Sequence, residues 1–320
     1  MENSNRKVVV LGAGGLLGKA VTRAFAGSGW QVRAQLRAPR RSNSDEWHAT
    51  VEPWYCDALD GKALLQAVEG ARVVVNALNP RYTDWETQAR EMCRNAIAAA
   101  RASSALLMFP GNIYNFGREL PASLYETTPA QGNTSKAKIR IEMEADLQAA
   151  AAEGLDCVIM RAGDYLSPAP SYSWFDEVIV KSLARDIVVY PGATDQLHAW
   201  CYLPDFAEAF VRVASHQEQL HGFNRFQFPG YTITGSELHT LLEQAVGRSL
   251  KFKKMSWWPM RLAAPFSPMM RALLEMSYLW EKPHRLRDGA LGELIGELPE
   301  TPLPAAMQAI GVGHGWIKPL

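Results

Sequence analysis

Short apolar runs alternate with segments of helical periodicity through the first half of the chain. Runs of strand length cover residues 8–11, 31–36, 51–55, 72–77 and 105–109. The first run is apolar on both faces, which is typical of a strand in a parallel sheet covered by helices on each side. The segments between the runs carry apolar residues at helical spacing. The pattern therefore predicts an α/β fold with a doubly wound parallel sheet.

The second half departs from this alternation. Its pattern predicts helices over 171–184, 204–215 and 232–246, and strands over 187–190 and 250–252. Residues 257–280 are rich in Met and aromatic side chains but contain three prolines, two arginines and a glutamate, so they do not fit a membrane-spanning helix. We interpret them as a small helical lobe whose side chains form core or line an apolar substrate pocket.

A glycine-rich turn separates the first apolar run from the first helical segment. Gly12, Gly15 and Gly18 form a G-x-x-G-x-x-G pattern, and Gly14 adds another glycine. Backbone N–H groups at the start of a helix bind a pyrophosphate, and a Cβ there would obstruct it. The alternative is a tight strand-to-helix turn without a ligand. We favour a dinucleotide site formed by Gly12, Gly14, Gly15, Leu16, Leu17 and Gly18.

Arginines follow the second predicted strand, at the position where dinucleotide-binding sites distinguish NADP(H) from NAD(H). Arg37 ends the strand, Arg40 and Arg41 follow it, and the first acidic residue is Asp45. An acidic residue at the strand end accepts hydrogen bonds from the adenosine ribose, whereas an arginine can pair with a 2′-phosphate. The sequence therefore favours NADP(H), with NAD(H) as the alternative. A solvated basic loop is the competing interpretation.

Polar residues also follow the third and fourth predicted strands. Asp57 and Ala58 come after the third strand, where an Asp can accept a hydrogen bond from the adenine amine. Asn76 and Ala77 end the fourth strand, at the sheet edge where ligands bind in open α/β folds. We expect these four residues to contribute to the cofactor site, and we expect Asp60 to cap the following helix.

Composition narrows the choice of partners. The 320 residues include 33 basic and 33 acidic side chains, and this balance argues against a general affinity for nucleic acid or an anionic membrane. The four cysteines have no C-x-x-C spacing, which indicates buried thiols in a reducing compartment and no metal site. No apolar signal region precedes the first strand. We expect a cytoplasmic protein that acts on a small molecule.

Several motifs occur in the order found in one superfamily. They are the glycine turn, Asp57-Ala-Leu-Asp60, Asn76-Ala-Leu-Asn-Pro80, Phe109-Pro-Gly-Asn-Ile-Tyr114, Ser135-Lys136, Ile159-Met-Arg161-Ala-Gly163-Asp-Tyr165 and the segment 198–209. Over about residues 6–310 the chain resembles the extended short-chain dehydrogenase/reductase superfamily, which includes NAD-dependent epimerases and dehydratases. The resemblance implies an NAD(P)-binding Rossmann domain at 1–165 and a substrate lobe at 166–320, from which about residues 198–215 return to the main sheet. It also implies a homodimer formed through helices at 85–102 and 133–153.

The reacting groups of this superfamily are only partly present. Its Ser position is Pro110 here, and the Tyr of its Tyr-x-x-x-Lys motif is Gly132. In the superfamily this Tyr exchanges a proton with the substrate, and the Lys ammonium lowers its pKa. Lys136 is retained, and its other implied role is to donate hydrogen bonds to the nicotinamide ribose.

Other side chains are candidates for the missing groups. Tyr114 is the best-located phenol, although packing is its alternative role. His198 and Trp200 share one side of a predicted strand near the cleft, and a neutral His can act as a base. A hydrogen-bonded structural role for His198 is the alternative that we favour. The candidate catalytic residues are Lys136 and Tyr114, and the candidate substrate contacts are Asn112, Tyr114, Asp164, His198 and Trp200.

Three functions remain open. The first is an NAD(P)(H)-dependent oxidoreductase or epimerase/dehydratase-like enzyme that acts on a carbonyl or hydroxyl compound with a degraded triad. The second is a redox sensor or regulator that binds the cofactor without turnover. The third is a structural partner that keeps a nucleotide for stability alone. We favour the first because the nicotinamide-side features are retained.

Overall fold

The computed structural model describes residues 6–38 and 49–318, so Arg40, Arg41 and Asp45 lie outside the described residues. The described strands are β1 (Lys7–Leu11), β2 (Gln31–Leu36), β3 (Val51–Tyr55), β4 (Val73–Asn76), β5 (Leu106–Gly111), β6 (Ser123–Leu124), β7 (Cys157–Arg161), β8 (Asp164–Leu166), β9 (Ile187–Tyr190), β10 (Leu197–Tyr202), β11 (Phe223–Gln227), β12 (Tyr231–Thr234), β13 (Lys251–Lys254) and β14 (Arg285–Leu286). The described α-helices are α1 (Leu16–Gly27), α2 (Gly61–Ala67), α3 (Arg90–Ala102), α4 (Ser135–Ala152), α5 (Leu203–Ser215), α6 (Gly235–Val246), α7 (Trp258–Ala263), α8 (Pro268–Glu275), α9 (Ala290–Ile295) and α10 (Leu303–Gly313).

Seven of these strands form one parallel sheet in the order β11-β7-β5-β4-β1-β2-β3. The central strand β1 pairs with β2 on one side and β4 on the other. The direction of winding reverses between β1 and β4, so a crevice opens beyond their carboxyl ends, where ligands bind in open α/β sheets. The predicted doubly wound sheet is confirmed. The edge strand β11, which pairs with β7, is an addition that the sequence pattern did not predict.

Two hydrophobic clusters cover opposite faces of this sheet. Val8 and Val10 face the cluster that includes α1 and α5, whereas Val9 and Leu11 face the cluster that includes α2, α3 and α4. All four side chains are completely buried. Burial of each such side chain contributes about 1.5–3 kcal/mol. The residues after Leu11 are therefore held rigidly at the crevice.

Smaller sheets form much of the second half. Strand β10 pairs with β12 and β8, β9 pairs with β13, and β6 pairs with β14. Helix α5 follows β10 and packs against α1, so residues 203–215 lie on a face of the main sheet. The domain boundary at residue 165 stays a prediction.

The prediction of one helix over 171–184 is wrong. The chain forms a π-helical turn at Phe175–Ile179 and a 3₁₀ turn at Leu183–Arg185. The hydroxyls of Ser171 and Ser173 both donate to the carboxylate of Asp176. Such local side-chain hydrogen bonds compete with a regular helix.

The helix predicted over 232–246 begins three residues later, at Gly235. Residues 232–234 pair with β10 instead, as part of β12. Thr234 and Glu237 then form a capping box, in which each side chain accepts a hydrogen bond from the other residue's backbone N–H. Long-range strand pairing therefore moves the start of this helix to Gly235.

A buried ion pair joins the end of β7 to α4. The Arg161 guanidinium donates to both carboxylate oxygens of Glu144, each at 3.0 Å. It also donates to the Asn115 side-chain oxygen at 3.1 Å and to the Asn112 carbonyl. Both side chains of the pair are almost completely buried. The pair therefore fixes the turn after β5 against the end of β7.

We predict that Glu144→Gln lowers the free energy of unfolding by about 3–5 kcal/mol, because it leaves a buried guanidinium without a counter-charge. Urea denaturation measures this loss. Glu153→Gln is the matched control, since its pair with Arg101 is exposed, with side-chain exposures of 63% and 44%. That control is expected to cost about 0–1 kcal/mol. Equal losses in the two variants would contradict the importance of the buried pair.

Candidate functional site

The glycine turn fits tightly against the end of β4. Gly12 has a φ of +76°, and a Cβ there would lie 2.8 Å from the Ala77 carbonyl oxygen. A Cβ on Gly18 would collide with the Gly12 carbonyl oxygen. A residue with a side chain therefore does not fit at either position. These two glycines therefore allow α1 to begin close to the central strand.

Gly14 and Gly15 differ from this pair because they are exposed. A Cβ on either would lie 3.3 Å from its nearest protein atom, a close contact but not a collision. No side chain among the described residues caps the start of α1, so the N–H groups of its first turn, at Leu16 and Leu17, have no side-chain partner there. Because Gly14 and Gly15 have no side chains, a bound group can approach the backbone at the start of α1 closely. This cradle fits the pyrophosphate of a dinucleotide.

The other residues predicted for the cofactor lie at neighbouring strand ends. The side chain of Asn76, which is buried, accepts a hydrogen bond from the Leu78 N–H at 3.3 Å. The Asp57 side chain accepts from the Leu59 N–H at 3.0 Å, and Ala58 is buried beside it. Arg37 is exposed directly after β2. The structure therefore brings the predicted residues to one edge of the sheet.

Two side chains of β2 link this strand to neighbouring segments of the chain. Arg33 pairs with Glu52 at 2.9 Å and donates to the Ala67 carbonyl at 2.9 Å, so it joins β2 to its neighbours. Gln35 accepts a hydrogen bond from the Gly12 N–H at 2.8 Å and donates to the Cys56 carbonyl at 2.7 Å. Sequence reasoning missed Gln35, because a glutamine inside a strand carries no sign of a long-range contact.

Asp60 caps α2 as expected. Its carboxylate accepts hydrogen bonds from the backbone N–H groups of Lys62 and Ala63. The side chain of Asn95 donates to the carbonyls of Ala58 and Leu59, each at 3.1 Å. The loop after β3 is therefore fixed from both sides.

Close packing fills the position of the superfamily's Tyr. A Cβ on Gly132 would collide with the Ala137 Cβ and would lie 2.7 Å from the Asn115 carbonyl oxygen. That carbonyl accepts a hydrogen bond from the Gly132 N–H at 2.7 Å. Pro110, at the Ser position, lies within β5. No hydroxyl is present at either position, and a side chain at residue 132 would require the turn at Asn115 to move.

Lys136 is held by the C-terminal part of the chain. Its ammonium donates to the Glu275 carboxylate at 2.9 Å and to the Ala272 carbonyl at 3.2 Å. The Lys136 backbone N–H donates to the same carboxylate at 3.2 Å. The ammonium also lies 5.1 Å from the centre of the Tyr82 ring. Helix α8 therefore occupies two of the three donors of the Lys136 ammonium.

Tyr114 forms a buried pair with Tyr82, their hydroxyls 3.0 Å apart. Burial raises the pKa of Tyr82, and it raises the pKa of Tyr114 well above 10. This shift is opposite to the one that the superfamily's Lys produces. Tyr114 therefore remains protonated at neutral pH. The nearby Asn112 side chain accepts from the Tyr114 N–H at 3.0 Å and fixes the turn.

His198 and Asp164 form the most polar contact in this part of the crevice. The His198 Nε2 lies 2.8 Å from an Asp164 carboxylate oxygen, and its ring stacks on Trp280 with centres 4.2 Å apart. The rings of His198 and Trp200 lie 4.8 Å apart, which confirms that both lie on one side of the strand. Trp200 is completely buried, so it packs behind His198.

A second His–Asp pair provides a contrast. Both ring nitrogens of His314 are bonded, Nε2 to Asp176 at 2.7 Å and Nδ1 to the Ile310 carbonyl at 2.9 Å. Within residues 6–38 and 49–318, His198 has a partner on Nε2 alone. His198 therefore has a ring nitrogen left for a further contact. His198 is only 2% exposed, and the shallow depression beside it, lined by Gln196, Trp280 and Lys282, has no room for a water molecule.

His284 packs beside His198, with ring centres 4.6 Å apart. Its Nδ1 lies 3.0 Å from the Lys282 carbonyl, and its buried Nε2 has no hydrogen-bond partner in the described parts of the chain. Burial, assisted by His198, lowers the pKa of His284 to about 3. His284 is therefore neutral at cellular pH.

A cavity of about 80 Å³ lies away from these groups, beside Glu144, Arg161 and Arg225. Its location on the outer side of β7 and β11 separates it from Lys136 and His198.

The sequence matches the family model described as the NAD dependent epimerase/dehydratase family over residues 8–226. The chain belongs to this family. The match includes β1 through most of β11, and thus the glycine turn, Lys136, Asp164 and His198. Comparison of the sequence with curated proteins finds no match. The resemblance inferred from the motifs is confirmed.

Solved structures share the fold of this family member over nearly its whole length. MoeE5 in complex with UDP-glucuronic acid and NAD has a TM-score of 0.76 at 16% identity, covering 97% of this chain and 100% of that chain. UDP-glucose 4-epimerase from Thermotoga maritima, with UDP-glucose, has a TM-score of 0.75 at 13% identity, covering 97% and 98%. DesIV from Streptomyces venezuelae, a dTDP-glucose 4,6-dehydratase with NAD bound, has a TM-score of 0.73 at 16% identity, covering 98% and 99%.

None of the described helices has the length and apolar character needed to cross a bilayer. The four cysteines, all in described segments, form no disulfide bond, and Cys93, Cys157 and Cys201 are buried.

Sequence reasoning missed Glu275, Tyr82 and His284 in the site. Tyr82 follows the Asn-Pro pair at the end of β4, so its position along the chain was an available signal. Glu275 has no such signal, since 139 residues separate it from Lys136.

We predict that the stability of the protein falls as the pH is lowered from 6.5, in part because of His284. The unfolded chain takes up a proton at this side chain below pH 6.5, whereas the folded chain excludes it until about pH 3. Between pH 7 and pH 5 this group alone accounts for a loss of about 2 kcal/mol. Urea denaturation of the unmodified protein and of His284→Asn at both pH values measures the difference. His221→Asn is the control, because His221 is exposed, and equal losses in all three proteins would contradict the prediction.

Proposed function

We propose that this protein binds a nicotinamide adenine dinucleotide at the glycine turn and acts as an oxidoreductase or epimerase/dehydratase-like enzyme on a small carbonyl or hydroxyl compound. The observation that carries the proposal is the exposed pair Gly14 and Gly15 at the uncapped start of α1. Family membership and the NAD-bound complexes of MoeE5 and DesIV support it. The bound cofactor would supply hydride transfer.

The chain's own groups fit the parts of such a cofactor. The N–H groups of Leu16, Leu17 and Gly18 would hold the pyrophosphate at the positive end of α1. Asp57 and Ala58 would lie toward the adenine. We propose a preference for NADP(H), supported by the exposed Arg37 after β2 and by the lack of any carboxylate in residues 31–38.

We propose that His198 and Asp164 replace the superfamily's Tyr and Lys in proton transfer. Asp164 accepts from the Nε2–H of His198, which leaves Nδ1 as the nitrogen that takes or gives a proton. The carboxylate also stabilises the imidazolium that would form. Tyr114, protonated because its pKa is raised, would donate a hydrogen bond to a substrate oxygen. Asn112 would position this turn, and Trp200 would support the His198 ring.

The substrate class is supported by the solved relatives. UDP-glucose and UDP-glucuronic acid are bound to two of them. We propose a sugar-like hydroxyl or carbonyl compound for this protein. A homodimer through α3 and α4 and a cytoplasmic location stay predictions.

A redox sensor that binds the cofactor without turnover is the second candidate. The pair between Lys136 and Glu275 favours it, because the superfamily's ribose donor is already occupied from within the chain. A contribution of Lys136 to ribose binding would require its contact with Glu275 to change.

We predict that Gly15→Asp weakens binding of NADP(H) at least about tenfold, while the protein stays folded. An Asp at this N-cap position stabilises a helix, but its charge and side chain oppose a bound pyrophosphate. Isothermal titration calorimetry measures affinity, and thermal denaturation checks the fold. Gly27→Asp is the control, since no atom lies within 4 Å of a Cβ there.

Unchanged affinity in Gly15→Asp would reject the glycine turn as the cofactor site. The same titrations compare NADP(H) with NAD(H) for the unmodified protein. Tighter binding of NAD(H) would reject the proposed preference.

We predict that His198→Gln reduces turnover at least about 100-fold without weakening cofactor binding, since proton transfer contributes roughly 10²–10⁴-fold to such reactions. The assay follows NADPH oxidation with a panel of carbonyl compounds that includes sugar nucleotides. His314→Gln is the matched control, because it disrupts the other His–Asp pair. Unchanged turnover in His198→Gln would remove its catalytic role. Cofactor binding without turnover in the unmodified protein would favour the sensor.

A further inference from the structure

Residues 251–274 combine exposed apolar side chains with uncompensated positive charge. Nine large apolar side chains are exposed in the described parts of the chain, and four of them are Trp258, Leu262, Phe266 and Met269. Trp258 is 65% exposed and Phe266 is 90% exposed. A monomer in water gains nothing from this exposure, so a cluster of such residues indicates a contact surface.

The four side chains belong to one helical hairpin. Trp258 and Leu262 lie four residues apart on α7 and therefore share a face of that helix. Phe266 lies in the turn between α7 and α8, and Met269 lies in the first turn of α8. The two helices pack against each other. We call Trp258, Leu262, Phe266 and Met269 the apolar tip.

Five cations accompany the apolar tip in this segment, and no acidic residue occurs among residues 251–274. The cations are Lys251, Lys253, Lys254, Arg261 and Arg271, and all five are exposed. None of them forms a salt bridge within the described residues. The rest of the chain carries 28 basic and 33 acidic side chains. The total charge is therefore zero although residues 251–274 are basic, because the rest of the chain has an excess of acidic side chains.

We propose that the hairpin of α7 and α8 docks this protein onto an anionic membrane surface. Amphipathic helices with Trp, Phe and Leu on one face and Lys or Arg beside them bind in the plane of the lipid headgroups. Their aromatic side chains enter the headgroup region, and their cations are attracted by anionic lipids. The proposal needs no spanning helix.

Charge favours an anionic bilayer over a second copy. Arg261 and Arg271 lie on the hairpin itself, and residues 251–274 contain no acidic side chain to pair with them. A second copy would bring the same two positive charges against the first. An anionic bilayer complements both and accepts the aromatic side chains.

Helix α8 also reaches the candidate site. Its first turn carries Met269 of the apolar tip, and its last residue is Glu275, which is bound to Lys136. The proposed docking surface therefore lies at the opposite end of the helix from the Lys136 contact.

Vesicle co-sedimentation of the full chain tests the proposal. We expect the protein to bind vesicles of phosphatidylcholine mixed with phosphatidylglycerol at least about tenfold more tightly than vesicles of phosphatidylcholine alone. Added salt should weaken this binding. The double variant Trp258→Ser/Phe266→Ser and the double variant Arg261→Gln/Arg271→Gln should each reduce it. Thermal denaturation confirms that the variants are folded.

Tyr172→Ser is the matched control, because Tyr172 is 96% exposed and lies outside the hairpin. Quenching of tryptophan fluorescence by brominated lipids, reduced in Trp258→Phe, would support insertion at the apolar tip. The proposal would be overturned if the protein bound neither kind of vesicle or bound both equally well. It would also be overturned if Tyr172→Ser lost as much binding as Trp258→Ser/Phe266→Ser. Self-association without vesicle binding, lost in the apolar-tip variant, would assign the surface to a second copy and would also overturn it.

Discussion

The close approach of backbone to backbone at the first turn is the constraint on which the site depends. A Cβ on Gly12 would collide with the Ala77 carbonyl oxygen, and a Cβ on Gly18 would collide with the Gly12 carbonyl oxygen. Because both side chains are absent, α1 starts directly over the crevice between β1 and β4, and the N–H groups of its first turn face this crevice. The buried side chains of β1 hold this turn in place from both faces of the sheet.

The other end of the crevice is closed by the chain's own side chains. Glu275 binds the ammonium of Lys136, and close packing leaves no room for a side chain at Gly132. A carboxylate and an imidazole, Asp164 and His198, meet where β8 pairs with β10. The glycine turn and this polar pair therefore depend on different parts of the chain, since the first is a local turn and the second joins two strands.

The errors of sequence reasoning arose where distant segments meet. The helix start at Gly235 moved because residues 232–234 pair with β10. Lys136 was expected to be available to a ribose, but a helix far along the chain covers it. Local patterns predict local structure well, and they carry little information on which surfaces become neighbours.

The central strand, the glycine turn and the family could be predicted from the sequence alone. These follow from short motifs whose meaning depends on steric limits within a few residues. Only the tertiary structure decided that Glu275 closes on Lys136, that Trp200 lies behind His198, and that His198 keeps one ring nitrogen without a partner among the described residues. Those outcomes depend on how the C-terminal lobe packs, and packing is set by the whole folded chain.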